Sequence, residues 1–276
     1  MAIIKRILLN LCYLMLFACT APPPPALTPD TLPPQQLIPY ALRSQAFDGE
    51  QLWQLAREGE EQYLIKQNLL GQPLQKLSIQ AEIPPHRNLC WGQGKLWLLD
   101  HQNTVSVLSL QGQLLATLKL DFEPGTAEQL VWSEDQLWLL QGAWLSATGA
   151  TEPARFHQLD PANGRILATL KLQEAQLLPA RGPGSARFSD FTHQNLAADP
   201  QSFYVARANI FAKPSNTVYR IDRRSGQASM KALDRIYTGL SSLFLWQNRL
   251  YGIELLDTSN CGEACRGKLE SLPKPE

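Results

Sequence analysis

NLCWGQGKLWLLD, residues 88–100, contains two short apolar segments on either side of a Gly-Gln-Gly turn. Two further segments follow at 104–109 and 114–120, in which Val and Leu alternate with Thr, Ser, Ala and Lys. Alternation with a period of two residues, bounded by Gly-containing turns, is typical of β-hairpins. This stretch therefore predicts four antiparallel strands in a meander.

One short sequence motif from this stretch occurs five times along the chain. Each copy has a polar turn followed by Leu or Phe and then by an aromatic residue, in most copies with a large apolar residue before the turn. The five copies are Phe47 with Leu52-Trp53, Trp91 with Leu96-Trp97, Trp132 with Leu137-Trp138, Ala198 with Phe203-Tyr204, and Leu245 with Leu250-Tyr251. A repeat of forty-odd residues on short alternating strands predicts an all-β fold, a β-propeller. We expect the repeated aromatic residues to pack between its blades.

The repeat predicts a propeller of five four-stranded blades over residues 37–276. The fifth copy has two clear strands before Cys261, and residues 268–272 supply a third. We expect its fourth strand to come from residues 37–42, because pairing of the two chain ends closes the ring and covers exposed sheet edges. Six blades are the alternative, if residues 174–193 contain a degenerate blade.

The chain begins with a segment typical of a bacterial export signal. Lys5 and Arg6 precede an apolar run, Ile7–Phe17, that is too short for a membrane span, which needs about 20 residues. We interpret residues 1–18 as a signal peptide. The motif Leu16-Phe17-Ala18-Cys19 resembles a bacterial lipobox. An ordinary secretory signal cleaved nearby is the alternative.

The lipobox resemblance implies that Cys19 becomes the lipidated first residue of the mature protein. Thr20 after it is compatible with passage to the outer membrane, which we therefore expect rather than the inner membrane. Residues 19–36 are rich in proline and predict an extended tether without a packed core. The predicted location is the bacterial cell envelope, with the membrane as a partner through the lipid anchor and the domain facing the periplasm.

Composition excludes one class of partner and limits the chemistry. The chain has 25 Lys and Arg against 25 Asp and Glu, with no basic stripe, so nucleic acid is not expected as a partner. Its 4 histidines have no metal-ligand spacing, and no Gly-x-Ser-x-Gly motif occurs. We therefore predict no catalytic residue, no metal and no cofactor. Cys261 and Cys265 lie close together in an exported chain, which predicts a small disulfide loop.

In a meander, the turns between the first and second strands and between the third and fourth strands lie at one rim of the ring. These turns are short here, and we call this the plain rim. The long connections, 142–153, 174–193, 208–216 and 255–266, belong to the opposite rim, the long-loop rim, and long loops on a rigid scaffold often carry binding sites. The candidate interaction residues there are Trp144, Arg181, Arg187, Asp190, His193 and Phe211. Loops that merely fold down on the rim are the alternative.

A polar residue precedes the repeated aromatic residue of each copy at a constant distance along the chain. These residues are Ser44, Asn88, Gln129, Asn195 and Ser242. Because the first strands line the central channel of a propeller, we expect them to form a polar ring at its mouth. Such a ring has the polarity to bind a sugar or another small ligand. A funnel filled with solvent is the alternative.

Over residues 37–272, the turn-Leu-aromatic motif and the hairpins with Gly in their turns resemble those of gluconolactonases, streptogramin lyases and bacterial glutaminyl cyclotransferases. The lactonases hold a divalent metal with carboxylate and amide groups, whereas Glu128 is the only carboxylate next to the ring here, which disfavours a metal. The cyclotransferases have an acidic residue in a Phe-Gly-Glu-Gly setting, where this chain has Arg87-Asn88-Leu89-Cys90-Trp91. The resemblance thus implies the fold more than either activity.

These features predict a lipid-anchored periplasmic propeller that acts as a binding or scaffold module, with a protein or cell-envelope partner on its long-loop rim. The alternative is an enzyme that acts on a small molecule at the channel mouth, as a lactonase-like hydrolase or a glutaminyl cyclotransferase-like enzyme. We favour the binding module because no set of residues with catalytic spacing is present, and a fold shared by many functions does not itself indicate an activity.

Overall fold

The computed structural model describes residues 37–39, 45–122, 127–142, 144–145, 151–152, 154–172, 194–207, 217–233, 240–255 and 266–275. The chain divides into two compact units, Met1–Leu32 and Pro33–Glu276, and all of the described residues belong to the second. They form an all-β five-bladed propeller, in which each blade is a four-stranded antiparallel sheet. Within these ranges there is no helix with the length and apolarity needed to cross a membrane.

The strands follow one another in chain order from blade to blade, except that β1 (Leu37–Pro39) belongs to the last blade. Blade 1 contains β2 (Gln45–Phe47), β3 (Leu52–Glu58), β4 (Glu61–Gln67) and β5 (Pro73–Ile79); blade 2 contains β6 (His86–Gly92), β7 (Lys95–Asp100), β8 (Thr104–Ser109) and β9 (Leu114–Lys119). Blade 3 contains β10 (Ala127–Ser133), β11 (Gln136–Gln141), β14 (Arg155–Leu159) and β15 (Ile166–Lys171), with a two-stranded insertion, β12 (Trp144–Leu145) and β13 (Thr151–Glu152). Blade 4 contains β16 (Gln194–Ala198), β17 (Ser202–Arg207), β18 (Thr217–Asp222) and β19 (Ala228–Ala232); blade 5 contains β20 (Leu240–Trp246), β21 (Arg249–Leu255), β22 (Arg266–Leu272) and β1.

The two ends of the domain close the ring, as the sequence predicts. β1 pairs antiparallel with β22, with Leu37 opposite Lys268 and Pro39 opposite Arg266. The described strand is shorter than the predicted one, because residues 40–42 lie outside the described ranges. The fourth strand of blade 5 therefore comes from the start of the domain, and five blades rather than six are confirmed.

Apolar side chains fill the seams between neighbouring blades. The described residues include one buried cluster at each of the seams 1–2, 2–3, 3–4 and 4–5. The repeated aromatic residues are buried, which confirms their predicted packing role: Trp53, Trp97, Trp138, Tyr204 and Tyr251. Small residues lie opposite several of them in the first strand, such as Ala46 opposite Trp53 and Ala197 opposite Tyr204. This pairing leaves room for each large ring within the sheet.

The turns of the plain rim hold the repeated aromatic residues in place. Asp48 accepts hydrogen bonds from two backbone N–H groups of its own turn and from Trp53 Nε1 at 2.7 Å. Asp199 does the same in blade 4, where Tyr204 OH donates to Oδ2 at 2.8 Å. Burial alone would raise the pKa of Asp199, but these hydrogen bonds outweigh it and hold the pKa below its ordinary value. An aspartate carboxylate thus ties each of these turns to the ring packed beneath it.

The strand bounds confirm that the long connections share one rim, and they refine the prediction. The connections between second and third strands are tight in blades 1 and 2, at 59–60 and 101–103. In blades 3, 4 and 5 the corresponding connections span 142–154, 208–216 and 256–265. The longest interblade connection, 172–193, joins blades 3 and 4. The long connections of this rim therefore belong to blades 3 to 5, and the tight ones to blades 1 and 2.

Candidate functional site

The five first strands, β2, β6, β10, β16 and β20, surround a central channel. Its cavity volume is about 140 Å³, and residues from all five strands line it. A volume of this size holds several water molecules or a small group inserted from one end, but not a drug-sized ligand. Any larger ligand must therefore bind over the mouth of the channel rather than within it.

Four of the five residues predicted for the polar ring line the channel, near its long-loop end. The structure brings Asn88, Gln129, Asn195 and Ser242 together as lining residues, and all four are buried. Ser44, the fifth predicted member, lies outside the described residues. Its neighbour Gln45 lines the channel from blade 1.

The ring residues form hydrogen bonds from one blade to the next. Asn88 Nδ2 donates to Gln129 Oε1 at 2.7 Å, and Asn88 Oδ1 accepts from the N–H of Leu130 at 2.6 Å. Ser242 Oγ accepts from the N–H of Gln45 at 2.8 Å, which joins blade 5 to blade 1. In blade 4, the Asn195 side chain donates to a carbonyl group of blade 5. Much of the polarity of the ring is therefore used to connect blades, while its role as a ligand site stays a prediction.

Two charged residues lie next to the ring residues in the sequence, and both are extra residues at β-bulges. Glu128 was expected beside the ring from the sequence, whereas Arg87 was not proposed as a site residue. The pairing of β6 with β7 shifts between His86 and Asn88, so that Arg87 is an extra residue in the strand. The pairing of β10 with β11 shifts between Ala127 and Gln129, which makes Glu128 the extra residue. Bulges often redirect side chains at functional sites. They add one residue without a change in composition, so alternation alone does not predict them.

Arg87 and Glu128 lie on adjacent blades beside the polar ring. Arg87 donates to the carbonyl oxygen of Ala127 at 2.6 Å, and its second terminal nitrogen lies 3.1 Å from His101 Nδ1. The Glu128 side chain is buried and packs directly against Gly142, where an added Cβ would lie 2.2 Å from the carboxylate. Both charged groups thus lie next to ring residues along their strands, but neither lines the channel itself, and the Glu128 carboxylate is buried.

Blade 3 carries a buried histidine, His157, in its third strand, β14. His157 Nε2 lies 2.9 Å from Gln141 Oε1, and Nδ1 lies 2.9 Å from Thr169 Oγ1. Burial, with a smaller effect of the Arg155 charge, lowers the pKa of His157 to about 4. The imidazole is therefore neutral near pH 7, and both of its nitrogens are held by partners within its own blade. These contacts tie β14 to β11 and β15 within the sheet.

The opposite end of the channel is apolar. Phe47, Trp91, Trp132, Ala198 and Leu245 line it at the plain rim. Trp132 stacks on Trp97 with ring centroids 5.2 Å apart. Burial raises the pKa of the Cys90 thiol, which also lines the channel, well above its ordinary value, so this cysteine stays protonated. The polar and charged groups of the channel are therefore concentrated at its long-loop end.

Most of the predicted rim residues lie outside the described part of the chain, namely Arg181, Arg187, Asp190, His193 and Phe211. Trp144 is described in its backbone only, where it pairs with Glu152 in the small insertion of blade 3. Cys19, Cys261 and Cys265 also fall outside the described ranges. Within those ranges, no group of three His, Cys, Asp or Glu residues comes together in an arrangement that could hold a metal ion.

Comparison with known proteins shows a shared fold. No protein-family model matches this chain, and no curated protein matches it. Among the solved structures, the crystal structure of Myxococcus xanthus glutaminyl cyclase is similar, with a TM-score of 0.53 and 12% sequence identity. The match covers 86% of this chain and 95% of that chain. At this identity the likeness shows the propeller fold alone.

Proposed function

We propose that this protein is a membrane-anchored binding or scaffold module of the bacterial cell envelope, which binds a protein or cell-envelope ligand at its long-loop rim. The observation that supports this function is the one-sided distribution of the connections, which are long over blades 3 to 5 and tight over blades 1 and 2. Long loops on a rigid scaffold are where binding residues concentrate.

The amide and charged side chains near the channel mouth favour a polar ligand. Arg87 and Glu128 belong to blades 2 and 3, where the blades with tight connections meet the blades with long ones. Asn88 and Gln129 lie next to them in the ring. A ligand bound to the loops of blade 3 would therefore be within reach of the Arg87 guanidinium group from blade 2. Arg residues at the edge of a recessed surface are common anchors of interfaces.

The proposed location predicts a specific effect of one substitution. Cys19→Ala is expected to transfer the protein from the membrane fraction to the soluble envelope fraction, because the acyl chains, which contribute roughly 0.8 kcal/mol per buried CH₂ group, would be lost. Fractionation followed by immunodetection measures this. Cys12→Ala, in the segment that is removed from the mature chain, is the matched control and should leave the protein in the membrane. Membrane retention of Cys19→Ala would refute the lipid anchor.

The proposed rim predicts which variants lose the partner. Affinity capture of the tagged full chain from intact envelopes, after mild cross-linking, is expected to recover a partner at least tenfold less well from Arg87→Ala and from a chain that lacks residues 181–193. Arg224→Ala is the control, because Arg224 is an exposed arginine at the plain rim. Thermal unfolding of each variant shows whether the fold is retained.

Two outcomes would contradict the proposal. The first is equal recovery of the partner from the wild type and from the chain without residues 181–193. The second is turnover of a small molecule by the purified protein. Release of ammonia from peptides with an N-terminal glutamine, abolished by Glu128→Gln, would favour an enzyme related in activity as well as in fold to the glutaminyl cyclase.

A further inference from the structure

Blade 1 differs from the other blades in the polarity of one face. Gln45 and Gln54 are paired across β2 and β3, and Gln67 lies on the same face of β4, opposite Leu52. This face also carries Phe47, whose ring centroid lies 4.5 Å from that of Phe244 in blade 5. The three glutamines therefore lie in the seam between blade 5 and blade 1.

The amide groups of these glutamines are buried and incompletely hydrogen-bonded. Gln54 and Gln67 are 0% exposed and Gln45 is 5% exposed. Gln45 Nε2 donates to Gln54 Oε1 at 2.9 Å. Within the described part of the chain, no partner lies within hydrogen-bond distance of Gln45 Oε1, Gln54 Nε2 or either polar atom of the Gln67 side chain. A buried polar group without a partner loses its hydration and gains nothing in exchange, so it destabilises the closed seam.

The other blades have aliphatic residues at almost all of the equivalent positions. Gln45 corresponds to Leu89, Leu130, Leu196 and Leu243; Gln54 corresponds to Leu98, Leu139, Val205 and Gly252; Gln67 corresponds to Leu108, Leu159, Ile221 and Leu272. The repeat therefore accommodates an apolar side chain at each of these places. The polar face is a property of the closing seam and is not required by the blade architecture.

The closure of the ring also depends on a strand that contains a proline. β1 pairs antiparallel with β22, and Pro39 in β1 has no N–H group to donate to its neighbour. β1 belongs to blade 5 but comes directly before blade 1 in the chain, so its pairing with β22 holds the two ends of the ring together.

We propose that the folded ring opens reversibly at the seam between blade 5 and blade 1, more readily than at the other four seams. Local opening is favoured where the closed state leaves buried polar groups unpaired, and the three glutamines place such groups in this seam. Opening separates the N–H of Gln45 from Ser242 Oγ, which are 2.8 Å apart in the closed ring. The channel then gains access to solvent along its side, and the strand that closes the ring is the one directly attached to residues 1–36.

Reporter cysteines at two seams test this proposal in the full chain. Ala56→Cys places a thiol in β3 on the face toward blade 5, and Ala206→Cys places one in β17 at the seam between blades 4 and 5; both alanines are buried. Cys90→Ala removes the buried native thiol, and alanine already occupies the equivalent positions 46 and 197. The rate of modification by a thiol reagent is measured at each site by mass spectrometry under native conditions.

The Ala56→Cys thiol is expected to react at least tenfold faster than the Ala206→Cys thiol. Gln67→Leu should slow the reaction at Ala56→Cys about tenfold, because it removes two unpaired buried groups, and should leave Ala206→Cys unchanged. Ser242→Ala should accelerate the reaction at Ala56→Cys, since it removes the partner of the Gln45 N–H. Gln54→Leu replaces Gln67→Leu if the latter does not fold.

Equal rates at the two reporters would overturn the proposal, because both thiols would then be exposed by unfolding of the whole ring. So would a Gln67→Leu variant that slows both reporters by the same factor, since that result indicates global stabilisation without preferential opening.

Discussion

Replacement of Arg223 by alanine is expected to lower the free energy of unfolding by roughly 3 kcal/mol, since it removes charge-assisted hydrogen bonds and buried contacts together. Arg223 belongs to the turn between the third and fourth strands of blade 4, yet its side chain reaches into blade 3. It donates to Ser133 Oγ at 3.0 Å, to Gln136 Oε1 at 3.0 Å and to the carbonyl oxygen of Asp199 at 2.9 Å.

The guanidinium group of Arg223 also covers two aromatic rings of the seam. Its central carbon lies 5.0 Å from the ring centroid of Trp138 and 5.2 Å from that of Phe203. The side chain is 7% exposed, and Glu134 is 3.8 Å away. Alanine would leave these rings uncovered and three acceptors without their donor, so the seam between blades 3 and 4 would lose stability from both causes.

Equilibrium unfolding in urea measures this effect, with Arg224→Ala as the control in the same turn. The Arg224 side chain is exposed, and we expect its removal to change the free energy of unfolding by less than about 0.5 kcal/mol. Arg223→Lys should recover only part of the loss, because an ammonium group cannot reproduce the planar set of donors. A loss of the same size from both alanine variants would show that the contacts across the seam carry no special stability.

Gly226→Ala is expected to cost about 3 kcal/mol as well, for a reason that combines backbone conformation and packing. Gly226 has φ +70°, in the left-handed region that residues with a Cβ rarely adopt. An added Cβ would also lie 2.3 Å from the carbonyl oxygen of Lys171 in blade 3. Because that oxygen belongs to the backbone of a paired strand, it cannot move aside without displacing β15.

Gly94→Ala separates the two contributions to the Gly226 effect. Gly94 has φ +67°, and nothing lies within 4 Å of the position of an added Cβ. The Gly94→Ala variant should therefore show only the conformational cost, about 1 kcal/mol, in the same urea experiment. The difference between the two variants then reports the contact between blades 3 and 4. Equal losses would mean that β15 yields to the methyl group and that the seam is looser than the structure indicates.

The blade pattern could be predicted because it depends on local regularity. Trp97 and its equivalents recur at a constant place after a turn, and the strands around them alternate with a period of two. The closure by residues 37–39 was also predictable, since blade 5 lacks a fourth strand in its own stretch of chain. The same regularity located Asn88, Gln129, Asn195 and Ser242 at the channel.

The candidate site could be predicted only in part. Glu128 was expected next to the ring, but the contacts of Arg87 with blade 3 were not, because a bulge adds Arg87 to β6 and a bulge leaves no trace in composition or alternation. The hydrogen bonds of the polar ring depend on which backbone groups of the next blade face it. That information is a property of the packed ring and not of any single blade.

The sequence by itself determined the architecture: the strand pattern, the repeated aromatic residues, the number of blades and the closure by the two chain ends. These features follow from period and composition, which are readable within one blade at a time. Only the tertiary structure decided which face of blade 1 buries Gln45, Gln54 and Gln67, and that Arg223 spans from blade 4 to blade 3. The physical reason is that a side chain at a seam depends for its stability on atoms contributed by another blade, far away along the chain.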